Sequence, residues 1–80
     1  MEKVAIDARK EIGARLRSAR KAARKTLKEV AAVIEKTSQA VSGYETGVIL
    51  PNLSNMHAIA DFLGVSFAWL VSGKGIQEAG

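Results

Sequence analysis

The 80-residue sequence contains no cysteine, one proline, and very few aromatic side chains: one tryptophan, one tyrosine and two phenylalanines. Without cysteine there is neither a disulfide nor a thiolate metal site, and nothing points to an oxidising compartment. No apolar run approaches the length a membrane span requires. Met1 to Asp7 lack the long apolar stretch of a secretory signal, so the expected location is the cytosol. His57 is the single histidine and has no acidic cluster at metal spacing, which predicts a half-buried helix residue and no metal ligand. Ser38, Ser42 and Ser66 have no base beside them, so a nucleophilic enzyme is not expected. Gly73-Lys74-Gly75 lacks the spacing of a phosphate loop. No catalytic residue, metal or cofactor is therefore assigned.

What is present is charge, unevenly placed. Residues 1–36 hold eleven of the twelve basic residues against five acidic ones, a balance of +6, while the remainder carries one basic and three acidic residues, a balance of −2. Such polarity suits a partner with a dense negative surface, most simply a phosphate backbone. Solvated basic helix faces are equally common, so charge alone leaves both readings open.

Weak alternation and strong 3.6-residue periodicity predict an all-α chain with five helices. The first runs from about Asp7 to Ala23, with Ile12, Leu16, Ala19 and Ala23 on one face. Thr26 and Glu29 form a capping box for the second, whose apolar face is Leu27, Val30, Ala31 and Ile34. After Glu35-Lys36-Thr37, with Thr37 or Ser38 as cap, a third helix spans Ser38 to Glu45. It buries Val41 and part of Tyr44 and ends at Gly47. Pro51 pushes Leu50 towards an extended conformation. Asn52 then caps a fourth helix carrying Leu53, Met56, Ile59, Ala60 and Leu63, closed by Gly64. Ser66 caps a fifth with Phe67, Leu70 and Val71 on one side. The expected organisation is a partly helical N-terminal extension over 1–11, a domain over 12–73 and a flexible tail over 74–80. Trp69 is expected in the core between the first and fifth helices.

The second and third helices, joined by a short polar connector, make a helix-turn-helix. The unit works only if the helices cross closely, which needs a small residue at the crossing, here Ala31, and an apolar plug from the second helix, here Val41. The outer face of that second helix must offer side chains small enough to approach base edges and polar enough to bond them.

From Ile12 to Gly73 the chain resembles the Cro/CI-type, or lambda-repressor-like, phage-repressor helix-turn-helix family. The resemblance is carried by Thr26-Leu27-Lys28-Glu29-Val30-Ala31, by Val41-Ser42-Gly43-Tyr44-Glu45-Thr46-Gly47 and by the stretch Leu63-Gly64-Val65-Ser66-Phe67-Ala68-Trp69-Leu70-Val71-Ser72-Gly73. It implies a five-helix DNA-binding domain that represses transcription as a homodimer on a palindromic operator in double-stranded DNA, at the nucleoid of a bacterial host cell. It also implies that Ser38, Gln39, Ser42 and Gly43 face base edges and that Thr37, Tyr44 and Thr46 lie near phosphates, with Arg20 leaning the same way. Arg20 and Glu45 match positions that pair as an ion bridge. Lys28 and Lys36 are the expected additional phosphate contacts.

Four positions depart from the family pattern. Leu27 replaces a polar residue at the start of helix 2. Glu35 stands where glycine is usual and must adopt another turn or a left-handed conformation costing about 1–2 kcal/mol. Gly43 lacks a long side chain, and the usually basic loop after helix 3 is Val48-Ile49-Leu50. Compensation could come from Lys28, Lys36 and the first helix, or from Lys3, Arg9 and Lys10 acting as an arm. The loop either folds back on the core or forms an exposed patch for another protein. The alternative function is accordingly a protein-interaction module of the same fold, antitoxin-like or bound by an antirepressor. A C-terminal oligomerisation domain is a further possible partner, with Ala79-Gly80 as a conceivable cleavage boundary.

Overall fold

The computed structural model describes residues 2–75 and Gln77; for residues 2–7 it describes the backbone alone. Ala79-Gly80 and the side chain of Lys3 lie outside the described residues. Five helices form: α1 (Glu2–Ala22), α2 (Leu27–Val33), α3 (Ser38–Thr46), α4 (Leu53–Leu63) and α5 (Phe67–Ser72). Among the described residues there is no strand.

Local chemistry places the helix ends. The Thr26 hydroxyl accepts from the Glu29 amide (3.0 Å) and the Glu29 carboxylate accepts from the Thr26 amide (2.8 Å), completing the capping box. That amide hydrogen bond holds the Glu29 carboxyl below the usual carboxylate range. A carboxyl depressed in the folded state adds stability above its unfolded pKa and loses it as acid protonates it, so the box weakens on acidification. Thr37, Asn52 and Ser66 cap α3, α4 and α5 through the amides of Ala40, Asn55 and Trp69. Gly47, Gly64 and Gly73 close those helices in the left-handed conformation.

The longest helix begins earlier than its periodicity indicates. Its backbone is continuous from Glu2, so the extension expected over 1–11 is the start of α1 and carries Arg9 and Lys10. The chain also folds back after α5: the Ser66 amide donates to the Gln77 carbonyl (2.7 Å), tying part of the expected loose tail to the domain.

Ile12, Leu16 and Ala19 of α1, Val30 and Ala31 of α2, Val41 of α3, Met56 and Ile59 of α4, and Leu70 of α5 share one core. Complete burial of Leu16, Ile59, Leu70, Val30 and Val41 contributes roughly 1.5–3 kcal/mol each. Trp69 is half-buried against this core. His57 differs from expectation. It is exposed, and its ring stacks on Phe67 with centroids 3.8 Å apart and planes 9° from parallel. The ring thereby joins α4 to α5, a contact made across the elements that the helix period of α4 does not reveal.

Glu35 takes the left-handed option, with φ of 55°. Around it the Lys36 amide reaches the Ala31 carbonyl and the Glu35 amide that of Ala32, so the last turn of α2 is closed as a glycine-type C-cap without glycine. Glu35→Gly is expected to stabilise the domain by about 1 kcal/mol, or roughly 4–8 °C in Tm. A thermal melt in which Glu35→Gly lowers Tm would contradict the strain assigned to this turn.

Arg15 is a structural residue that its place in the basic series conceals. Its guanidinium donates to the Leu70 and Val71 carbonyls, both at 2.8 Å, and so satisfies the C-terminus of α5 while fixing that helix to α1. Arg15→Met keeps the apolar stem and removes both bonds. The expected loss is about 2 kcal/mol by urea denaturation, with faster hydrogen exchange in α5. Unchanged exchange there would refute the capping role.

Candidate nucleic-acid interface

The structure holds α3 from behind at three places. Ala31 is 3% exposed and gives α2 its close crossing, while Val41, fully buried, plugs α3 into the core. On the other side α1 crosses the C-terminal half of α3 at Gly13. A Cβ built there would lie 2.4 Å from the Tyr44 carbonyl oxygen and 2.6 Å from that of Glu45. Gly47 makes a second close approach. It has φ of 82°, and a Cβ there would lie 2.8 Å from Lys10 Cγ and 3.0 Å from Lys10 Cα. Both glycines let α1 lie directly on the backbone of α3.

The third hold is electrostatic. Arg20 Nε donates to Glu45 Oε2 (2.6 Å) and Arg20 Nη2 to Glu45 Oε1 (3.1 Å), a two-point ion pair with side chains 13% and 6% exposed. Arg20 Nη1 donates to the Lys25 carbonyl (2.9 Å), so all three guanidinium nitrogens have partners within the protein. The bond to Glu45 raises the Arg20 pKa above its ordinary value, against the opposing effect of burial.

With its back fixed, α3 has Gln39 exposed to solvent and Ser38, Ser42 and Gly43 partly so. Lys28, Lys36, Thr37 and Thr46 are exposed around it. Thr46 Oγ1 donates to the carbonyls of Ser42 and Gly43, which orients that hydroxyl along the helix end. Two residues assigned to the phosphates by position sit differently. Tyr44 is 6% exposed, and its ring belongs to the core. Arg20 is occupied by Glu45 and Lys25, because the ion pair that locks α1 to α3 draws the guanidinium inward. Among the described side chains, the exposed cations of the N-terminal half are Lys10, Arg17, Lys21, Arg24, Lys28 and Lys36.

The loop after α3 is exposed and not folded on the core: Val48 is 69%, Ile49 50% and Leu50 44% exposed, with Leu53 at 65% beside them. Its backbone nevertheless returns to α3, since the amides of Val48 and Ile49 both donate to the Gly43 carbonyl. The Ile49 side chain lies over Gly43, Cδ1 standing 3.5 Å from where a Cβ would be. Gly13 and Arg15 are the residues that sequence reasoning missed. Only Gly13 gave a local signal, as an unexplained glycine inside a helical pattern.

Two adjoining helices with a buried small crossing residue and an exposed polar second helix define a helix-turn-helix. The profile of that family matches residues 16–70, and the chain belongs to it. Among solved structures, the P22 c2 repressor bound to synthetic operator 9T is similar, with a TM-score of 0.74 and 25% identity over 79% of this chain and 96% of that one. A comparison with curated proteins found no match.

Proposed function

We propose that this chain is a sequence-specific DNA-binding transcriptional regulator of the phage-repressor type. It acts as a homodimer on a palindromic operator, in the cytoplasm of a bacterial host cell. The observation that carries this reading is the outer face of α3, polar, uncrowded and backed by a rigid three-way hold. It is supported by the likeness to a repressor seen on operator DNA. In this reading α3 enters the major groove. The Gln39 amide bonds adenine in two places, Ser38 and Ser42 reach neighbouring base edges, and Gly43 lies one turn after Gln39 on the same base-facing side. Lys28, Lys36, Thr37 and Thr46 meet phosphates, which set register and not sequence. The part-buried Arg20–Glu45 pair orients α3 and leaves the phosphates to the exposed lysines.

The exposed Val48, Ile49, Leu50 and Leu53 favour a second reading, in which the fold is a protein-interaction module of the antitoxin or antirepressor-bound kind. Selection from a random duplex pool, with solution mass measured on the enriched complex, separates the two. The regulator reading expects a palindrome with half-site centres roughly 34 Å apart, or one turn, and two chains per site. A pool that fails to converge contradicts it, and a salt-insensitive complex with a protein favours the second reading.

A further inference from the structure

Gly43 occupies a base-facing position but has no side chain, and the loop that follows α3 covers the vacancy. Two amides of that loop are bonded to the Gly43 carbonyl, and the Ile49 side chain packs on the Gly43 backbone while remaining half exposed. The apolar surface of Ile49 therefore adjoins Gly43, which shares a helix face with Gln39 one turn earlier. A group in that position can neither donate nor accept a hydrogen bond. In the major groove the one base feature that an aliphatic side chain complements is the 5-methyl group of thymine.

We infer that Ile49 is a specificity-determining residue, which takes the place of the side chain missing at position 43 and reads a thymine methyl. This rests on the proposed DNA reading by α3. It explains why an aliphatic side chain stands exposed beside polar recognition residues, where solvation alone would favour a polar one. The occupant assigned to this part of the patch is the thymine edge, since the surface adjoins the reading face and its backbone is fixed to α3 and to no separate element.

The test uses the duplex enriched by the selection above. Each thymine is replaced singly by deoxyuridine, which lacks only the methyl group, and the intact chain is titrated against each duplex. At least one position per half-site should weaken wild-type binding about fourfold, the effect of burying a single methyl group. Ile49→Ala should bind the thymine duplex more weakly by a similar factor and lose the difference between thymine and deoxyuridine at that position. Ile49→Val should retain the difference, and a thermal melt of each variant establishes that it is folded. Equal deoxyuridine effects in wild type and Ile49→Ala, or no sensitive position at all, would overturn the inference while leaving DNA recognition by Gln39 standing. A wild-type chain that binds the enriched duplex no more tightly than a random one overturns both.

Discussion

Gly13→Ala is expected to destabilise the domain by about 2 kcal/mol or more, lowering Tm by roughly 10 °C. The sign is informative because helix propensity argues the other way. Alanine in the interior of a helix is favoured over glycine by about 1 kcal/mol. The added methyl, however, would stand 2.4 Å and 2.6 Å from the carbonyl oxygens of Tyr44 and Glu45. These are backbone atoms within α3, so no side-chain rotation relieves the contact, and α1 must move away from α3. A domain of this size has little stability in reserve. The same movement would tilt the recognition helix, so specific binding should fall even under conditions where the variant remains folded. A melt at or above the wild-type Tm would show that α1 does not rest on α3 at Gly13.

Glu45→Ala is expected to cost about 2 kcal/mol, because it leaves the guanidinium of Arg20 without its two-point partner in a part-buried place. Arg20→Ala should cost a similar amount, leaving the converse charge unpaired and also losing the bond to the Lys25 carbonyl. The two losses should not add. The apolar pair Arg20→Met with Glu45→Leu should recover part of the stability, since a part-buried ion pair is replaced by apolar packing. The stabilisation should change little across neutral pH. A cation whose folded pKa is raised keeps its contribution below the unfolded value, and for Arg20 that value lies far above neutrality. Denaturant titration of wild type, the two alanine variants, their double and the Met/Leu pair measures these terms, and a double alanine loss equal to the sum of the single losses would mean that the two side chains act independently.

The parts of the fold that were legible in the sequence are those fixed by near neighbours along the chain. The capping box at Thr26, the caps at Asn52 and Ser66 and the apolar faces of α2 and α4 each depend on residues within a turn or two. Ala31 and Val41 were legible because the geometry of two crossed helices demands their types. The start of α1 was not, since no capping Ser, Thr, Asp or Asn stands there to mark it. Arg15 was illegible for a different reason: its partners are set by tertiary packing. Arg15 meets carbonyls 55 and 56 residues away, and nothing in its neighbourhood separates it from the exposed arginines of the same helix. Tyr44 and Arg20 match phosphate-facing positions, yet in three dimensions the core and Glu45 engage them first.

The account's central claim is that α3 reads bases while the lysines around it supply affinity. The most direct measurement is the ratio of operator to random-duplex affinity, taken over a series of salt concentrations, for wild type, Gln39→Ala and Lys28→Ala. Gln39→Ala should reduce that ratio roughly tenfold to a hundredfold while leaving random-duplex binding and its salt slope unchanged. Lys28→Ala should weaken both duplexes together and reduce the slope by about 1. If Gln39→Ala instead weakens both duplexes equally and preserves the ratio, base reading does not reside in Gln39, and the role assigned to the outer face of α3 is contradicted.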